Sequence, residues 1–93
     1  MKNRTRIDIY ASILQALEQS EEGLKLTRIS YAAGIPTDRA RKYLNLVMSA
    51  GLVAPSKQDF SVYVITKHGL KFLESFYILN GYLNEMDEDI KQL

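Results

Sequence analysis

The feature that most constrains this sequence is the stretch after Thr66, which contains no proline and repeats an apolar residue at alternating steps of four and three. This spacing is that of an a/d seam and predicts one long helix over residues 67–93, with Thr66 as a suitable N-cap. At 1.5 Å per residue the helix is roughly 40 Å long, more than a small domain covers. We therefore expect a homodimer paired through these seam residues: Phe72, Phe76, Leu79, Leu83, Met86, Ile90 and Leu93.

The positions beside the seam leave the direction of pairing open. They include Leu73, Asn80 and Tyr82 and carry no alternating Glu/Lys pattern that would fix a parallel dimer. An antiparallel dimer separates the two acidic C-terminal ends and brings each closer to the partner's Lys67 and the partner's Lys71, so we favour it. The expected division is a body over residues 1–66 and a dimerisation helix over residues 67–93.

Upstream of this helix the apolar pattern predicts three shorter helices and a hairpin. The helices cover residues 6–19, 24–33 and 37–50, and the strands cover residues 52–54 and 60–65. Gly34 permits a sharp bend and Pro36 disfavours helical geometry in the residue before it, so a tight turn joins the second and third helices. The order of elements predicts an α+β, mostly α fold: a winged helix-turn-helix of three helices plus a two-stranded wing, with a long C-terminal dimerisation helix.

In this arrangement the helix after the turn enters the major groove of DNA, where cations and hydrogen-bonding side chains read the duplex. The predicted outward residues of the third helix supply both kinds of group: Thr37, Asp38, Arg39, Arg41, Lys42 and Asn45. The two arginines suit guanine or phosphate, and Asn45 suits adenine. Asp38 complements the helix dipole but repels phosphate. The alternative is a charged face that only keeps a surface helix soluble, and the position after the turn favours DNA.

Four further cations are secondary candidates for DNA contact. Arg28 lies near the second helix, Lys57 lies at the tip of the hairpin, and Arg4 and Arg6 belong with Lys2 to a short basic arm. Each has a plain alternative. For Arg28 it is an ion pair with a neighbouring glutamate, and for Lys57 it is an ordinary solvated turn. For the basic arm it is a frayed terminus.

Composition excludes several other classes of function. The chain has no cysteine and a single histidine, His68, so we expect no metal site, no cofactor and no catalytic centre. No long apolar stretch suggests a membrane segment or a signal peptide, and no small-molecule ligand is evident, so we expect a cytoplasmic, nucleoid-associated protein. Residues 1–50 carry eight Lys/Arg against five Asp/Glu, whereas residues 51–93 carry four against six, which is weak support for a polyanion-facing first half.

The runs LTRISYAAGIPTDRARKYLNLVMSAGLV, residues 26–53, and YVITKHGLKFLE, residues 63–74, resemble the small archaeal winged-helix proteins that include the ten-kilodalton DNA-binding chromatin proteins. The matching residues are mostly those that determine the fold, among them Tyr43, Thr66 and Gly69. The resemblance implies an archaeal source and a dimer whose terminal helices form an antiparallel coiled coil, with a body at each end presented to DNA. One departure is Pro36, which stands where a polar cap residue is usual.

The function expected from these observations is binding of double-stranded DNA as a dimer, with the helix over residues 37–50 in the major groove. Transcription regulation and chromatin organisation both stay open. The alternative is a winged-helix module for protein–protein interaction in a larger assembly.

Overall fold

The computed structural model describes residues 4–91, with side chains to Ile90. Within this part of the chain the structure has four helices and three short strands: α1 Arg6–Glu18, β1 Leu24–Lys25, α2 Leu26–Ala33, α3 Thr37–Ser49, β2 Val53–Pro55, β3 Val62–Ile65 and α4 Lys67–Lys91. The strands form an antiparallel sheet in the order β1, β3, β2. This confirms the predicted mostly helical winged fold with a long last helix.

The strand β1 corrects the prediction that the second helix begins at residue 24 and that the sheet has two strands. Leu24 pairs with Tyr63, and Lys25 pairs with Val62. Gly23 has a φ of 89°, and a Cβ there would lie 2.5 Å from the carbonyl oxygen of Tyr63. Since only glycine tolerates this close approach at such a φ, Gly23 serves the entry into the strand, whereas α1 already ends at Glu18.

The core forms around α1, whose buried side chains meet residues from α2, α3, the sheet and α4. The largest fully buried side chains are Ile13, Leu14, Leu17, Ile29, Leu44 and Leu73. In α2 the buried small residues are Ser30 and Ala33, whereas Ala32 is exposed. The three upstream helices therefore form one packed body, which fixes the direction of α3.

The turn between α2 and α3 is held by backbone geometry and one buried hydroxyl. Gly34 ends α2 in the left-handed conformation, with a φ of 68°. The Ser30 hydroxyl donates to the carbonyl oxygen of Ile35 at 2.5 Å, and the Ile35 N–H donates to the carbonyl oxygen of Ser30 at 3.2 Å. Pro36 is the N-cap of α3 and makes no side-chain cap hydrogen bond. The turn is therefore short and rigid, as predicted.

The loop between β2 and β3 is ordered by its own polar side chains. The Ser61 N–H and hydroxyl both donate to one carboxylate oxygen of Asp59, at 2.9 and 2.7 Å, and Ser56 accepts from the N–H of Gln58. The hydrogen bond from the Ser61 hydroxyl, with the one from its N–H, lowers the pKa of Asp59 below the usual value. Phe60 belongs to this loop and not to the predicted strand, and its side chain is exposed.

The helix α4 begins against the body and then leaves it. The Thr66 hydroxyl accepts from the N–H of Gly69 at 3.1 Å and donates to the carbonyl oxygen of Gly51 at 2.6 Å, which confirms Thr66 as the N-cap. Leu73 is only 1% exposed, although the seam pattern placed it on a flank. From Tyr77 to Ile90 every side chain is exposed, and the molecule is 54 Å long in its largest dimension.

Candidate nucleic-acid interface

The outward face of α3 carries most of the predicted site. Ala40, Leu44 and Val47 are buried and define the inner face. At about 100° per residue, the positions opposite them are Asp38, Lys42, Asn45 and Ser49, while Arg39 and Arg41 fall on the two flanks. All six of these side chains are exposed. The structure thus brings the predicted cations of α3 to its surface and distributes them over a centre and two edges.

Arg39 is held in place by an aromatic side chain of the same helix. Its guanidinium lies 5.9 Å from the centroid of the Tyr43 ring, within cation–π range. Tyr43 packs edge-on against Tyr10 of α1, with centroids 5.7 Å apart. Because Tyr43 is fixed by the body, Arg39 is directed along the flank of α3 that faces α1.

Arg6 joins this flank. It is the first residue of α1, and together with Arg39, Lys42, Tyr43 and Leu46 it lines a concave surface of about 450 Å³, which we call the α1–α3 cleft. Three of the five lining side chains are cations and none is acidic.

The two described residues of the predicted short basic arm, Arg4 and Arg6, have different surroundings. Arg6 is helical, and the Arg4 guanidinium donates to the carbonyl oxygen of Ala33 at 2.5 Å and to the Ser12 hydroxyl at 2.8 Å. Arg4 therefore ties the segment before α1 to the end of α2. Lys2 lies outside the described residues.

The remaining predicted contacts lie apart from the cleft. Arg28 is exposed beside Tyr31 in a groove between α2 and the end of α1. Lys57 is exposed in the loop between β2 and β3, close to a concave surface that contains Glu21, Glu22 and Asp59. Thr37 is the first residue of α3, and its hydroxyl is 3.4 Å from that of Ser30. Thr37 is thus partly engaged in the turn.

The predicted seam divides into two parts. Phe72 and Phe76 are half-buried and pack against the core of their own chain. Further along α4 the seam residues are open to solvent, with exposed fractions from 45% at Leu83 to 66% at Ile90. Leu93 lies outside the described residues. Among the described residues, the seam from Leu79 to Ile90 therefore forms an exposed apolar stripe, and its first members, Leu79 and Leu83, border a groove together with Ile7 of α1.

Other kinds of site find no support in the described part of the chain. Residues 4–91 contain no cluster of three His, Cys, Asp or Glu side chains placed to hold a metal ion. In the same range no helix is both long and apolar enough to cross a membrane.

The candidate interface is thus an exposed cationic helix that follows a rigid turn, with a three-stranded sheet beside it. The sequence profile of the winged helix-turn-helix family matches residues 3–84. The chain belongs to the winged helix-turn-helix family. This confirms the family expected from the resemblance.

Relatives of this winged helix-turn-helix chain include archaeal proteins. The uncharacterized protein MJ0287 of Methanocaldococcus jannaschii is 30% identical over 81 residues, which are 87% of this chain and 78% of the relative. The crystal structure of Sso10a-2, a DNA-binding protein from Sulfolobus solfataricus, superposes with a TM-score of 0.71 at 26% identity and covers 96% of this chain and 95% of that one. The agreement in length extends to the long last helix.

Two variants of MepR from S. aureus share the fold at 21% identity. Their TM-scores are 0.66 and 0.64, each match covers 92% of this chain, and the second variant is bound to an oligodeoxyribonucleotide. The chain spans about two thirds of the length of each MepR variant, 65% and 64%.

Sequence reasoning missed two features of this winged helix-turn-helix surface. The first is the support of Arg39 by Tyr43, for which the four-residue spacing on one helix was an available signal. The second is the approach of Arg6 to Arg39 and Lys42. No local pattern indicates it, because it depends on how α1 crosses α3.

Proposed function

We propose that the protein binds double-stranded DNA by inserting α3 into the major groove, as a binding protein and not as an enzyme. The observation that carries the proposal is the exposed polar face of α3, with Lys42 and Asn45 at its centre and an arginine on either flank. The family and the likeness to Sso10a-2, a DNA-binding protein, support it. Binding to chromosomal DNA, and thus a location at the nucleoid, is part of this proposal.

The positions on α3 suggest different roles for the side chains. Asn45 is central and suits the two-hydrogen-bond recognition of adenine, and Lys42 beside it suits guanine. Arg39 and Arg41 lie on the flanks and are placed for the phosphates on either side of the groove. Asp38 repels phosphate but accepts a hydrogen bond from the amino group of cytosine, which makes it a selective contact at one base.

The test is a salt titration of duplex binding. We expect the double variant Arg39→Ala/Arg41→Ala to lose most of its affinity and to show a shallower dependence on salt, because each phosphate contact contributes about −0.9 to the log–log slope. The control with the same charge change is Lys67→Ala/Lys71→Ala, two exposed residues of α4; once sedimentation shows that this variant is still a dimer, we expect it to bind like the wild type. Equal affinity of the α3 variant and the wild type at low salt would refute the proposal.

We propose further that the protein acts as a homodimer through α4. The stripe formed by Leu79, Leu83, Met86 and Ile90 is exposed, and a helix seldom leaves such a stripe in water when a partner is available. An antiparallel pairing keeps the two acidic ends apart and gives a body at each end of the coiled coil. In this division the body includes the first turns of α4, up to Phe76, because these pack against the core.

Sedimentation tests the dimer. We expect Leu79→Asp/Leu83→Asp to give monomers, because each carboxylate would be buried in the seam. Tyr77→Asp is a matched control, since Tyr77 is 46% exposed and Leu79 is 52% exposed, but Tyr77 lies on the opposite side of α4. A dimer that survives the double seam substitution would refute pairing through α4.

Selection of duplexes from a random pool separates the two possible roles in the cell. A regulator binds selected sequences at least about 10³-fold more tightly than random ones, whereas an architectural protein binds both alike.

A further inference from the structure

The α1–α3 cleft carries more cations than three other concave surfaces within residues 4–91, of which the groove beside Arg28 holds one and the other two hold none. The groove between α1 and α4 is bordered by Asp8 and Asp87, and the one beside the wing by two glutamates and Asp59. The α1–α3 cleft instead contains Arg6, Arg39 and Lys42 with no carboxylate. Three cations from two helices around one concave surface fit a ligand that carries negative charge.

The other residues of the cleft are compatible with this preference. Besides the three cations it is lined by the half-buried ring of Tyr43 and the exposed side chain of Leu46. Apolar surface beside the cations reduces the solvation of a bound anion on that side, so their attraction is screened less than in open water. Arg39 is already oriented over the Tyr43 ring at 5.9 Å, so less side-chain entropy is lost when it binds.

The position of the cleft relates it to the proposed DNA-binding face. The B-DNA major groove is about 12 Å wide, and a helix with its side chains is about 10–12 Å across, so a helix that enters the groove meets a sugar–phosphate strand along each flank. Arg39 lies on the flank of α3 that faces α1, and Lys42 belongs to both the central face and the cleft. The cleft therefore opens where one of the two strands would pass.

We propose that the α1–α3 cleft holds one backbone phosphate of the bound duplex, and that Arg6 of α1 thereby sets the register of α3 in the groove. The inference rests on the proposed DNA binding and adds a contact from outside the recognition helix. A contact made by α1 is rigidly linked to the body, because α1 is the centre of the core. It therefore fixes the depth and rotation at which α3 lies.

Single methylphosphonate substitutions test this contact, since each replaces one charged phosphate by a neutral group. In the wild type we expect one position per half-site at which neutralisation lowers affinity about tenfold. In Arg6→Gln that position should lose its effect while the others keep theirs, and the salt slope should fall by about one. Lys25→Gln, which removes one exposed cation from β1, should leave the wild-type pattern intact.

The outcomes separate this inference from the proposed function. If the wild type bound no duplex, DNA binding itself would be refuted. If Arg6→Gln bound duplex with an unchanged methylphosphonate pattern, DNA binding would stand and the assignment of the cleft would be wrong.

A free phosphate ion has the same chemistry as a backbone phosphate, so a second experiment titrates the protein with inorganic phosphate and measures binding by calorimetry. Saturable binding of phosphate at micromolar concentration, together with an unchanged pattern on DNA, would show a site for a free anion instead. Circular dichroism is the folding control for Arg6→Gln. We expect this variant to be folded, because Arg6 is an exposed residue of the first helical turn.

Discussion

At the scale of single residues, two glycines of α4 have opposite environments. Gly69 is buried, and a Cβ at this position would overlap the carbonyl oxygen of Leu52 and come within 2.6 Å of a side-chain carbon of Ile65. Gly81 lies more than one helical turn beyond Phe76, where the body ends, and a Cβ there would meet nothing within 4 Å. The first glycine allows α4 to pack against the sheet, whereas the second is not required by any contact within the described chain.

Alanine substitutions at these glycines should therefore change stability in opposite directions. We expect Gly69→Ala to lower the free energy of unfolding by about 1–3 kcal/mol, the usual effect of overpacking against a backbone that cannot move. Gly81→Ala should raise it by about 1 kcal/mol, because alanine is the better helix former and the site faces away from the seam. Urea denaturation at one fixed protein concentration measures both, and a loss of stability in Gly81→Ala would show that this face of α4 is covered in the dimer.

At the scale of elements, the turn between α2 and α3 depends on Ser30. This residue is 7% exposed, and its hydroxyl satisfies the carbonyl oxygen of Ile35 inside the turn. The Ser30 hydroxyl therefore helps to set the direction of α3, because the turn that it stabilises leads directly to Pro36, the N-cap of that helix.

Removal of this hydroxyl should weaken the turn. We expect Ser30→Ala to cost about 1–3 kcal/mol of stability, because it leaves a buried carbonyl without a donor. Ser49→Ala provides the control: the Ser49 hydroxyl also donates to a backbone oxygen, that of Asn45, but in an exposed position, and its loss should change stability by less than about 0.5 kcal/mol. Thermal unfolding of the two variants in parallel decides the matter, and equal melting temperatures would contradict the assigned role of Ser30.

The elements themselves were largely predictable from the sequence, and the exceptions have physical causes. The position of α3 was predicted from helical spacing together with Gly34 and Pro36. The start of α4 was predicted from the capping residue Thr66. The strand β1 was not predictable because its two residues are defined by pairing with β3, a distant segment. Leu73 was assigned to the edge of a coiled coil, since a heptad pattern cannot show that the first turns of the helix pack against its own body.

For the candidate site, the sequence could predict which side chains are exposed, and their contacts with DNA stay predictions. The polar face of α3 follows from its periodicity, and its side chains are exposed as expected. Arg4 was grouped with Arg6 in a short basic arm, and in the structure its guanidinium is bonded to the end of α2. The contribution of Arg6 to the α1–α3 cleft depends on the crossing of two helices and has no signal in local sequence.

At the scale of the whole molecule, the proposed dimer presents two α3 helices to DNA at once. Linking two binding bodies makes the second contact intramolecular, so the affinity of the dimer exceeds that of one body without any new contact. The number of phosphates neutralised is also doubled when both bodies reach the same duplex.

A monomeric variant should therefore bind DNA with about half the salt slope of the wild type. We expect Leu79→Asp/Leu83→Asp to show this, together with an affinity lower by a factor of about 10² or more. Fluorescence anisotropy with a labelled duplex of at least 30 base pairs, at four salt concentrations, gives both quantities. An unchanged slope in a variant shown to be monomeric would mean that only one body of the dimer touches a given duplex.

The length of α4 has a consequence for spacing. In an antiparallel pair a continuous helix of 25 residues acts as a ruler that keeps the two bodies a set distance apart. Inserting seven residues after Met86 would preserve the phase of the apolar stripe and lengthen the ruler by about 10 Å with little rotation, whereas inserting two would turn one body to a different side. In the proposed dimer, the spacing between the two DNA contacts would therefore be set by the number of residues in α4.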